Sequence, residues 1–304
     1  MPKQHRNAMN DTWLQDFLAL AESLNFSRAA EARHVTQPAF SRRIRALEDW
    51  CGQALVDRSS HRLALTEAGE IMRVAAEDLL RRSHQLQRDL GALEGRSGTL
   101  TFASTQALSF TFFPDWVSRT AGGAAVHLLA DNMRACERLM EDGRAQFLLC
   151  HTHPAMRLAL PPEHYRQAEL SVDRLVPVSV AGPDGSAVHW PDRPEVPHLG
   201  FDDRSGLGRI LRAGLAGTLR DLPLRPVFTS HLAMALKSMA LDGRGLAWLP
   251  LSLVEEEIGA GRLVIAGGPE WQVPVAITLI RPRARLAPLA EDFWRRLVTR
   301  PGAE

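Results

Sequence analysis

The segment from Gln37 to Leu47 carries side chains that suit contacts with nucleic acid. It contains three arginines and no acidic residue. At helical spacing, one face of this segment groups small polar, proline and arginine side chains, with a glutamine at its N-terminal end. These residues are Gln37, Pro38, Ser41, Arg42 and Arg45. A solvated helix and a DNA-contacting helix both fit this charge, so the choice depends on the neighbouring elements.

The neighbouring elements predict a helix-turn-helix. Apolar residues recur at helical spacing from Trp13 to Leu24, which indicates a first amphipathic helix. Ser27 is expected to cap a short second helix that runs to Arg33, and Thr36 is expected to cap the third helix after a tight turn. A short helix followed by a capped helix with an arginine-bearing polar face favours DNA binding.

Two short segments after Gly52 predict a two-stranded wing. They are Leu55–Arg58 and Arg62–Leu65, with a Ser-Ser-His turn between them. Arg58 and Arg62 flank the tip of the wing, where they could contact phosphates on either side of a groove.

A long helix is predicted to follow the wing, with Thr66 as its cap and its end near Leu93. Apolar residues recur in it at every seventh position, at Met72, Leu79, Leu86 and Leu93. Such a long helix with a narrow apolar seam predicts packing on another helix, either in a dimer or within its own chain. Glycines between Gly91 and Gly98 then indicate a linker.

Beyond the linker, short apolar strands alternate with helical segments. This alternation predicts mainly parallel sheets covered by helices on both faces, as one large domain or as two lobes. The predicted strands are 99–104, 126–129, 145–151, 174–180, 227–230, 245–249 and 273–280, and the predicted helices are 108–120 with a break near Pro114, 134–141, 208–217, 232–242 and 287–298.

The composition is that of a globular protein. Of the 304 residues, 45% are apolar and 23% are charged, which argues against long disorder and favours two or three folded units. No run of about 18 uncharged apolar residues occurs, and the polar start does not resemble a signal peptide, so we expect a cytoplasmic protein without a membrane partner. The net charge of +1 says little about nucleic acid.

Other reactive side chains predict neither catalysis nor a metal site. His151 and His153 alternate at the end of an apolar strand beside Cys150, so the two imidazoles could converge on a metal, but no second cluster of ligands is visible. The three cysteines are too scattered for a disulfide framework and predict reduced thiols. Since no GxSxG, P-loop or HExxH motif occurs, we expect neither an enzyme nor a cofactor.

The string LQDFLALAESLNFSRAAEARHVTQPAFSRRIRALE, followed by the wing and by LTEAGEIM, resembles the N-terminal signature of LysR-type transcriptional regulators. The resemblance is dense from about Trp13 to Leu80, and it is more specific than a general helix-turn-helix pattern. The remainder of the chain is similar to the family in its architecture.

That resemblance implies an N-terminal all-α winged helix-turn-helix over residues 10–66 and a dimerising linker helix over 67–94. A two-lobed α/β, periplasmic-binding-protein-like effector domain would occupy 98–304, with lobe I at about 98–172 and 276–304 and lobe II at about 173–275. The resemblance also implies a homodimer or homotetramer that binds an interrupted inverted repeat in a promoter, gated by a small-molecule effector. It leaves contact with RNA polymerase open.

The residues that enter the major groove by this resemblance are Gln37, Pro38, Ser41 and Arg42. Their chemistry agrees with that role, because Gln pairs with adenine, Arg with guanine and Ser with either base, while a Pro ring can contact a thymine methyl. By the same resemblance, Arg58, Arg62 and Thr66 would hold backbone phosphates.

The family pocket lies between the lobes. The matching residues follow strands or precede helices, where hydroxyls and backbone N–H groups suit a carboxylate or another small polar anion. They are Ser104, Thr105, Gln106, Phe201, Asp202, Thr229, Ser230 and Trp248. For Ser230, capping of the following helix is an equal alternative.

Segments 104–109, 241–250 and 290–297 look most similar to the hypochlorite-responsive members of the family, which sense oxidant through methionine oxidation. The sensing methionines align with Thr120, Leu207 and Leu232, and none of these residues is Met. We therefore expect a small polar or anionic effector, while an oxidant that acts elsewhere stays open.

The alternative function is a small-molecule-binding α/β protein whose N-terminal helices only mediate assembly. The outer face of the third helix argues against it, because an assembly module has no need of groups that match base edges.

Overall fold

The structure, a computed structural model, describes residues 9–58, 63–91, 98–215 and 224–298. The chain divides into an N-terminal unit that extends to Leu90 and a C-terminal unit formed by residues 91–140 and 144–304. No helix among the described residues is both long and apolar enough to cross a membrane.

Three helices pack around one apolar core in the N-terminal unit. They are α1 (Asp11–Ser23), α2 (Phe26–Ala32) and α3 (Gln37–Cys51). Phe17 of α1 and Phe40 and Ile44 of α3 are fully buried in this core. Their helical spacing explains why these segments fold as amphipathic helices, and the predicted helix-turn-helix is confirmed.

The cap of α2 differs from the expected one. Asn25, not Ser27, is the N-cap, and its side-chain oxygen accepts hydrogen bonds from the backbone N–H groups of Ser27 at 3.0 Å and Arg28 at 3.1 Å. Asn is as strong a cap as Ser, so the helix begins earlier than predicted. Thr36 does precede α3 at the N-cap position, but its side chain makes no capping hydrogen bond.

The wing consists of two short antiparallel strands, β1 (Val56–Asp57) and β2 (Ala64–Leu65). Arg62 and the predicted turn lie outside the described residues. Helix α4 (Glu67–Gly91) follows. Its predicted cap is confirmed, because the hydroxyl of Thr66 accepts a hydrogen bond from the backbone N–H of Gly69 at 3.0 Å.

One face of α4 packs on its own chain and another does not. Ala76 and Leu80 are buried in the core that α1 and α3 form. Leu79 and Leu86, two residues of the predicted seam, are 42% and 58% exposed. The helix therefore presents an apolar stripe that its own unit leaves uncovered.

The C-terminal unit contains nine strands and seven helices among its described residues. The strands are β3 (Thr99–Thr105), β4 (Ala125–Asp131), β5 (Phe147–Thr152), β6 (Tyr165–Val180), β7 (Val196–Phe201), β8 (Leu224–Ser230), β9 (Ala247–Pro250), β10 (Leu263–Ile265) and β11 (Val273–Pro282). The helices are α5 (Gln106–Thr111), α6 (Phe113–Thr120), α7 (Met133–Glu141), α8 (Gly206–Gly214), α9 (Ala233–Leu241), α10 (Leu251–Gly259) and α11 (Pro288–Val298). The predicted break near Pro114 is confirmed by the separation of α5 from α6.

The large sheet is mixed, so the expectation of mainly parallel sheets is wrong for it. Its order is β10-β6-β11-β5-β3-β4, with β9 also paired to β6. Only β3 runs parallel to its neighbours, β4 and β5, and the other pairs are antiparallel. The chain leaves the first half of the unit along β6 and returns along β11, which requires these two strands to run in opposite directions.

Two lobes are built around separate apolar cores, as predicted. Helices α8, α9 and α10 enclose the core of the second lobe, and α6 and α11 enclose a core of the first. The long strand β11 contributes to both, since Val275 lies in the second core and Ile277 in the first. Strands β6 and β11 are therefore the connections between the lobes, while β7 and β8 form a separate parallel pair in the second lobe.

Candidate nucleic-acid interface and ligand cavity

The outer face of α3 displays the side chains that were predicted to enter a DNA groove. Gln37, Pro38, Arg42 and Arg45 are exposed and Ser41 is half-buried. Arg42 and Arg45 form no ion pair within the part of the chain that the structure describes, so both guanidinium groups are available to an external partner. Five residues of one helix thus form a single polar face.

Arg43 has a different role from its neighbours on α3. Its Nη1 donates to the carboxylate of Asp16 on α1 at 3.1 Å, and Nε of Arg33, at the end of α2, donates to the same carboxylate at 2.8 Å. The side chain of Asp16 is fully buried. This carboxylate therefore joins all three helices and fixes the backbone that carries the outer face of α3.

Arg58 and Thr66, both predicted to hold phosphates, make hydrogen bonds within the N-terminal unit. Arg58 Nη2 donates to Glu48 at 2.8 Å, and its guanidinium lies 5.7 Å from the ring centre of Phe26. The hydroxyl of Thr66 donates to the backbone carbonyl of Ala54 at 2.7 Å. The hydroxyl hydrogen of Thr66 is therefore used within the chain, whereas Arg58 remains half-exposed and keeps further N–H groups.

A small cavity in the C-terminal unit lies where several helices begin. Its lining includes Met133, Gly206 and Ala233, the first residues of α7, α8 and α9, together with Thr105 and Gln106 where β3 meets α5. Its volume is about 30 Å³. A water-sized probe needs roughly 10–15 Å³, so the space accommodates a very small ligand.

Three residues that line this cavity carry buried polar atoms without a partner. Within the described residues, Thr105 Oγ1, His151 Nδ1 and His231 Nδ1 are buried and make no hydrogen bond, and all three residues line the cavity. His231 Nδ1 lies 3.6 Å from the carboxylate of Asp202, which is too far for a good hydrogen bond. Buried polar atoms are ordinarily paired, so these atoms indicate a polar ligand or water.

His151 connects the cavity to a buried carboxylate. Its Nε2 lies 3.3 Å from Asp173 Oδ2 on β6, and the hydroxyl of Ser252, in the first turn of α10, donates to the same oxygen at 2.6 Å. Burial raises the pKa of Asp173, but the hydrogen bonds from His151 and Ser252 outweigh it, so the pKa stays below its ordinary value. Asp173 is therefore a carboxylate at neutral pH.

Of the predicted effector residues, Thr105 and Gln106 line the cavity. Phe201 and Trp248 do not, because both side chains are buried in the core of the second lobe. The indole N–H of Trp248 donates to the carbonyl of Trp271 at 2.8 Å, which leaves no polar group for a ligand. Phe201 and Trp248, both predicted to contact the effector, therefore point into the core and do not line the cavity.

The remaining predicted effector residues also lie outside the lining of the cavity. The Ser104 hydroxyl is buried and donates to the carbonyl of Thr105 at 3.2 Å, and Thr229 is exposed. The carboxylate of Asp202 accepts a hydrogen bond from Arg204 at 2.8 Å. Ser230 accepts a hydrogen bond from the backbone N–H of Leu232, which is itself the N-cap of α9.

Sequence reasoning missed several residues of the cavity and considered His151 only as a metal ligand. Among the described residues, no group of three or more His, Cys, Asp and Glu could hold a metal ion. Cys150 is fully buried, and burial raises the pKa of Cys136 to about 12. The signal that could have found His231 and Ser205 is their position just before predicted helices: His231 directly precedes the helix predicted over 232–242, and Ser205 lies three residues before the helix predicted over 208–217.

A winged helix-turn-helix with an arginine-bearing outer face, joined to a two-lobed α/β domain with a polar cavity, defines a ligand-responsive DNA-binding regulator. The family model described as bacterial regulatory helix-turn-helix protein, lysR family, matches residues 12–70, and the LysR substrate binding domain matches residues 93–301. The chain belongs to the LysR family of transcription regulators.

Two relatives illustrate the match. The transcriptional regulator YjiE of Escherichia coli is 33% identical over 94% of this chain and 93% of its own length. The full-length hypochlorite-specific regulator HypT of Salmonella typhimurium is 31% identical with a TM-score of 0.58 over 95% of this chain and 98% of that one. Its bromide-bound regulatory domain is 25% identical, with a TM-score of 0.57 over 66% of this chain and 93% of that one.

Vibrio fischeri DarR, solved in complex with DNA, is 30% identical with a TM-score of 0.57 over 96% of this chain and 99% of that chain. Together with the family models, these relatives show a DNA-binding transcription regulator with an effector-binding domain. They exclude the alternative in which the N-terminal helices serve only for assembly.

Proposed function

We propose that this regulator reads an interrupted inverted repeat with the outer face of α3 and responds to a small anion bound in the cavity. The cavity carries the effector assignment, because it lies at the beginning of three helices and three of its lining residues hold unpaired buried polar atoms. The groove-contacting residues are Gln37, Pro38, Ser41 and Arg42, with Arg45, Arg58 and Arg62 toward the phosphates. Thr66 is not among them, because its hydroxyl donates to Ala54 and its backbone N–H to Leu55.

The DNA contact is tested by Arg42→Ala in a gel-shift assay on the chain's own upstream region. Because Arg42 is exposed on the groove face, we expect specific binding to weaken by about 1–3 kcal/mol while affinity for unrelated DNA barely changes. Arg119→Ala, an exposed arginine of the C-terminal unit, is the matched control. Equal losses on specific and unrelated duplexes would show that Arg42 contacts phosphate only.

A small anion fits the chemistry of the cavity. Helices α7, α8 and α9 each have nine residues, and their N-termini, which carry partial positive charge, border the cavity. The volume of about 30 Å³ suits a halide or a formate better than a sugar acid or an aromatic acid. The bromide bound to the regulatory domain of HypT supports the same class of ligand.

A size series tests the effector proposal. At constant ionic strength, bromide and formate should raise the melting temperature of the full chain, and benzoate should not. Equal stabilisation by benzoate would place the binding elsewhere, and no stabilisation by any small anion would contradict the proposed effector class.

We propose further that the trigger is not oxidation at the three positions aligned with sensing methionines. Thr120, Leu207 and Leu232 have no thioether, so the change in polarity that a sulfoxide brings cannot occur there. Leu207 lines the cavity. If hypochlorite changes operator binding and methionine sulfoxide reductase reverses the change, an oxidant acts on another methionine.

The boundaries of the domains follow the same proposal. We assign residues 10–66 to DNA binding, 67–94 to dimerisation and 98–304 to the effector domain, with the limits of lobes I and II as stated above. The uncovered apolar stripe of α4 supports dimerisation through this helix.

A further inference from the structure

His151 is the ionisable side chain of the cavity that is most completely shielded from solvent. The residue is 4% exposed, lies on β5 and lines the cavity. An imidazole ring is either neutral, with one N–H donor and one lone pair, or a cation with two N–H donors, so one proton changes both its charge and what it offers a ligand.

Asp173 determines which ring nitrogen of His151 faces the cavity. Its carboxylate accepts hydrogen bonds from Ser252 Oγ at 2.6 Å and from the backbone N–H of Arg174 at 2.7 Å. A carboxylate only accepts, so His151 must donate from Nε2 to Asp173 Oδ2. Nδ1 then remains for the cavity, as a lone pair in the neutral ring and as an N–H donor in the protonated ring.

The cavity offers an anion no permanent positive charge. Within the described residues, neither lysine nor arginine lines it. The charged and titratable groups that accompany His151 are Asp131 at the end of β4, His231 before α9 and Asp173 on β6. A bound anion would meet the carboxylate of Asp131 and helix N-termini, which carry partial positive charge, and it would meet a full positive charge only if a histidine is protonated.

Asp173 also lies where the two lobes meet. It belongs to the part of β6 that enters the second lobe, beside Leu175 and Val176 of that core. Ser252 is on α10 of the second lobe, while His151 is on β5, which pairs with β3 in the first. The hydrogen-bonded series His151–Asp173–Ser252 therefore joins the lobes directly behind the cavity.

We propose that the cavity binds its anion together with a proton, which His151 takes up. The inference rests on the anion site proposed above and assigns its charge partner. In the loaded state Nδ1–H of the protonated ring donates to the anion, and Nε2–H forms an ion pair with Asp173. Asp173 is a positioning residue that orients the ring, and the ion pair strengthens the link between the lobes when the effector is bound.

The direction of the pH dependence follows from this coupling. Binding that takes up a proton favours the protonated ring, so affinity for the anion falls as pH rises. On the alkaline side, uptake of one proton corresponds to about a tenfold weaker affinity for each pH unit. Bromide does not titrate in this range, so any such slope comes from the protein.

The test is bromide binding to the full-length wild type between pH 6.0 and 8.5, measured as the shift in melting temperature relative to the same pH without bromide. We expect the apparent Kd to rise by close to tenfold for each unit in the upper half of this range. His151→Gln and Asp173→Asn should both flatten the slope, and His151→Gln should bind bromide more weakly at pH 6.0. His231→Gln should retain the slope.

Every other outcome overturns either the role of His151 or the anion site itself. Binding with no pH slope in the wild type, or a slope that persists in His151→Gln, overturns the role of His151 and leaves the anion site intact. A slope lost only in His231→Gln assigns the proton to His231. No bromide binding at any pH overturns the anion site and the inference with it.

Discussion

The outer face of α3 and the cavity of the C-terminal unit use opposite kinds of binding chemistry. On α3, exposed side chains within nine residues of sequence offer guanidinium, amide and hydroxyl groups. In the cavity, ligand-facing groups come from the beginnings of separate helices and from atoms such as Thr105 Oγ1 that are buried without a partner. One region reads its partner with movable side chains, and the other with groups fixed by the fold.

This difference predicts different sensitivities to substitution. The α3 face should lose affinity stepwise as single side chains are removed, provided that the backbone beneath it is held in place. Apart from His151, the cavity should depend less on any one side chain, because backbone N–H groups remain after substitution. Three substitutions test the comparison, ordered by the expected size of their effects.

Asp16→Ala should have the largest effect. The buried carboxylate holds Arg33 and Arg43, and removal of one partner from a buried ion pair costs about 3–5 kcal/mol. Because both arginines remain about a third exposed, we expect the lower end, about 3 kcal/mol of unfolding free energy for the N-terminal unit. Chemical denaturation measures the loss, and DNA binding should fall on every sequence.

The control for Asp16→Ala is Asp49→Ala, an exposed acid on α3. It should change stability by less than about 0.5 kcal/mol. The bromide response of the C-terminal unit should survive Asp16→Ala. If Asp16→Ala leaves both stability and DNA affinity intact, the α3 face does not depend on this anchor.

Leu86→Glu should have the next largest effect, on assembly rather than on folding. Leu86 is 58% exposed on α4, so its replacement costs the isolated unit little, but a charge buried in a dimer seam costs about 2–3 kcal/mol. We expect the dimer dissociation constant in sedimentation experiments to rise by roughly 30- to 150-fold, with a parallel loss of binding to the full inverted repeat.

Val298→Glu changes another exposed apolar residue, on α11, and should leave assembly unchanged. An unaltered sedimentation profile for Leu86→Glu would remove the uncovered stripe of α4 from the interface. Either result separates the face of α4 that packs on its own core, around Ala76 and Leu80, from the face that is left exposed.

The two regions also differ in how far the sequence predicts them. The α3 face was predictable because its residues are contiguous and helical spacing alone places them together. The anchor beneath it was not predicted, although an acid at position 16 between the apolar Leu14 and Phe17 was a usable signal. Helical spacing shows that Asp16 faces partly inward, but it does not show which arginines reach it.

The cavity was only partly predictable, because backbone N–H groups leave no residue signature. Thr105 was identified from its place at a strand end. The same reasoning also selected Trp248, whose side chain points into the core and not into the cavity. Successive side chains of a strand point to opposite faces, so an error of one residue in the predicted start of a strand exchanges the side chains that face the cavity with those that face the core. The strand β10 and helix α10 were also missed, so Ser252 and its contact with Asp173 were out of reach.

Thr105→Val should have the smallest effect on stability. The two side chains have nearly the same shape, and Thr105 Oγ1 is buried without a partner in the described residues. An unsatisfied buried hydroxyl costs free energy, so its replacement by a methyl group should leave the unfolding free energy of the free protein unchanged or raise it by up to about 1 kcal/mol. The bromide response should weaken in the same variant, because the ligand loses a donor.

Thr229→Val removes an exposed hydroxyl outside the cavity and should change neither quantity. A loss of stability together with an unchanged bromide response would mean that Thr105 supports the fold and not the ligand. Increased stability together with a weaker response would show that the cavity keeps a polar atom unpaired in the free protein because the effector uses it.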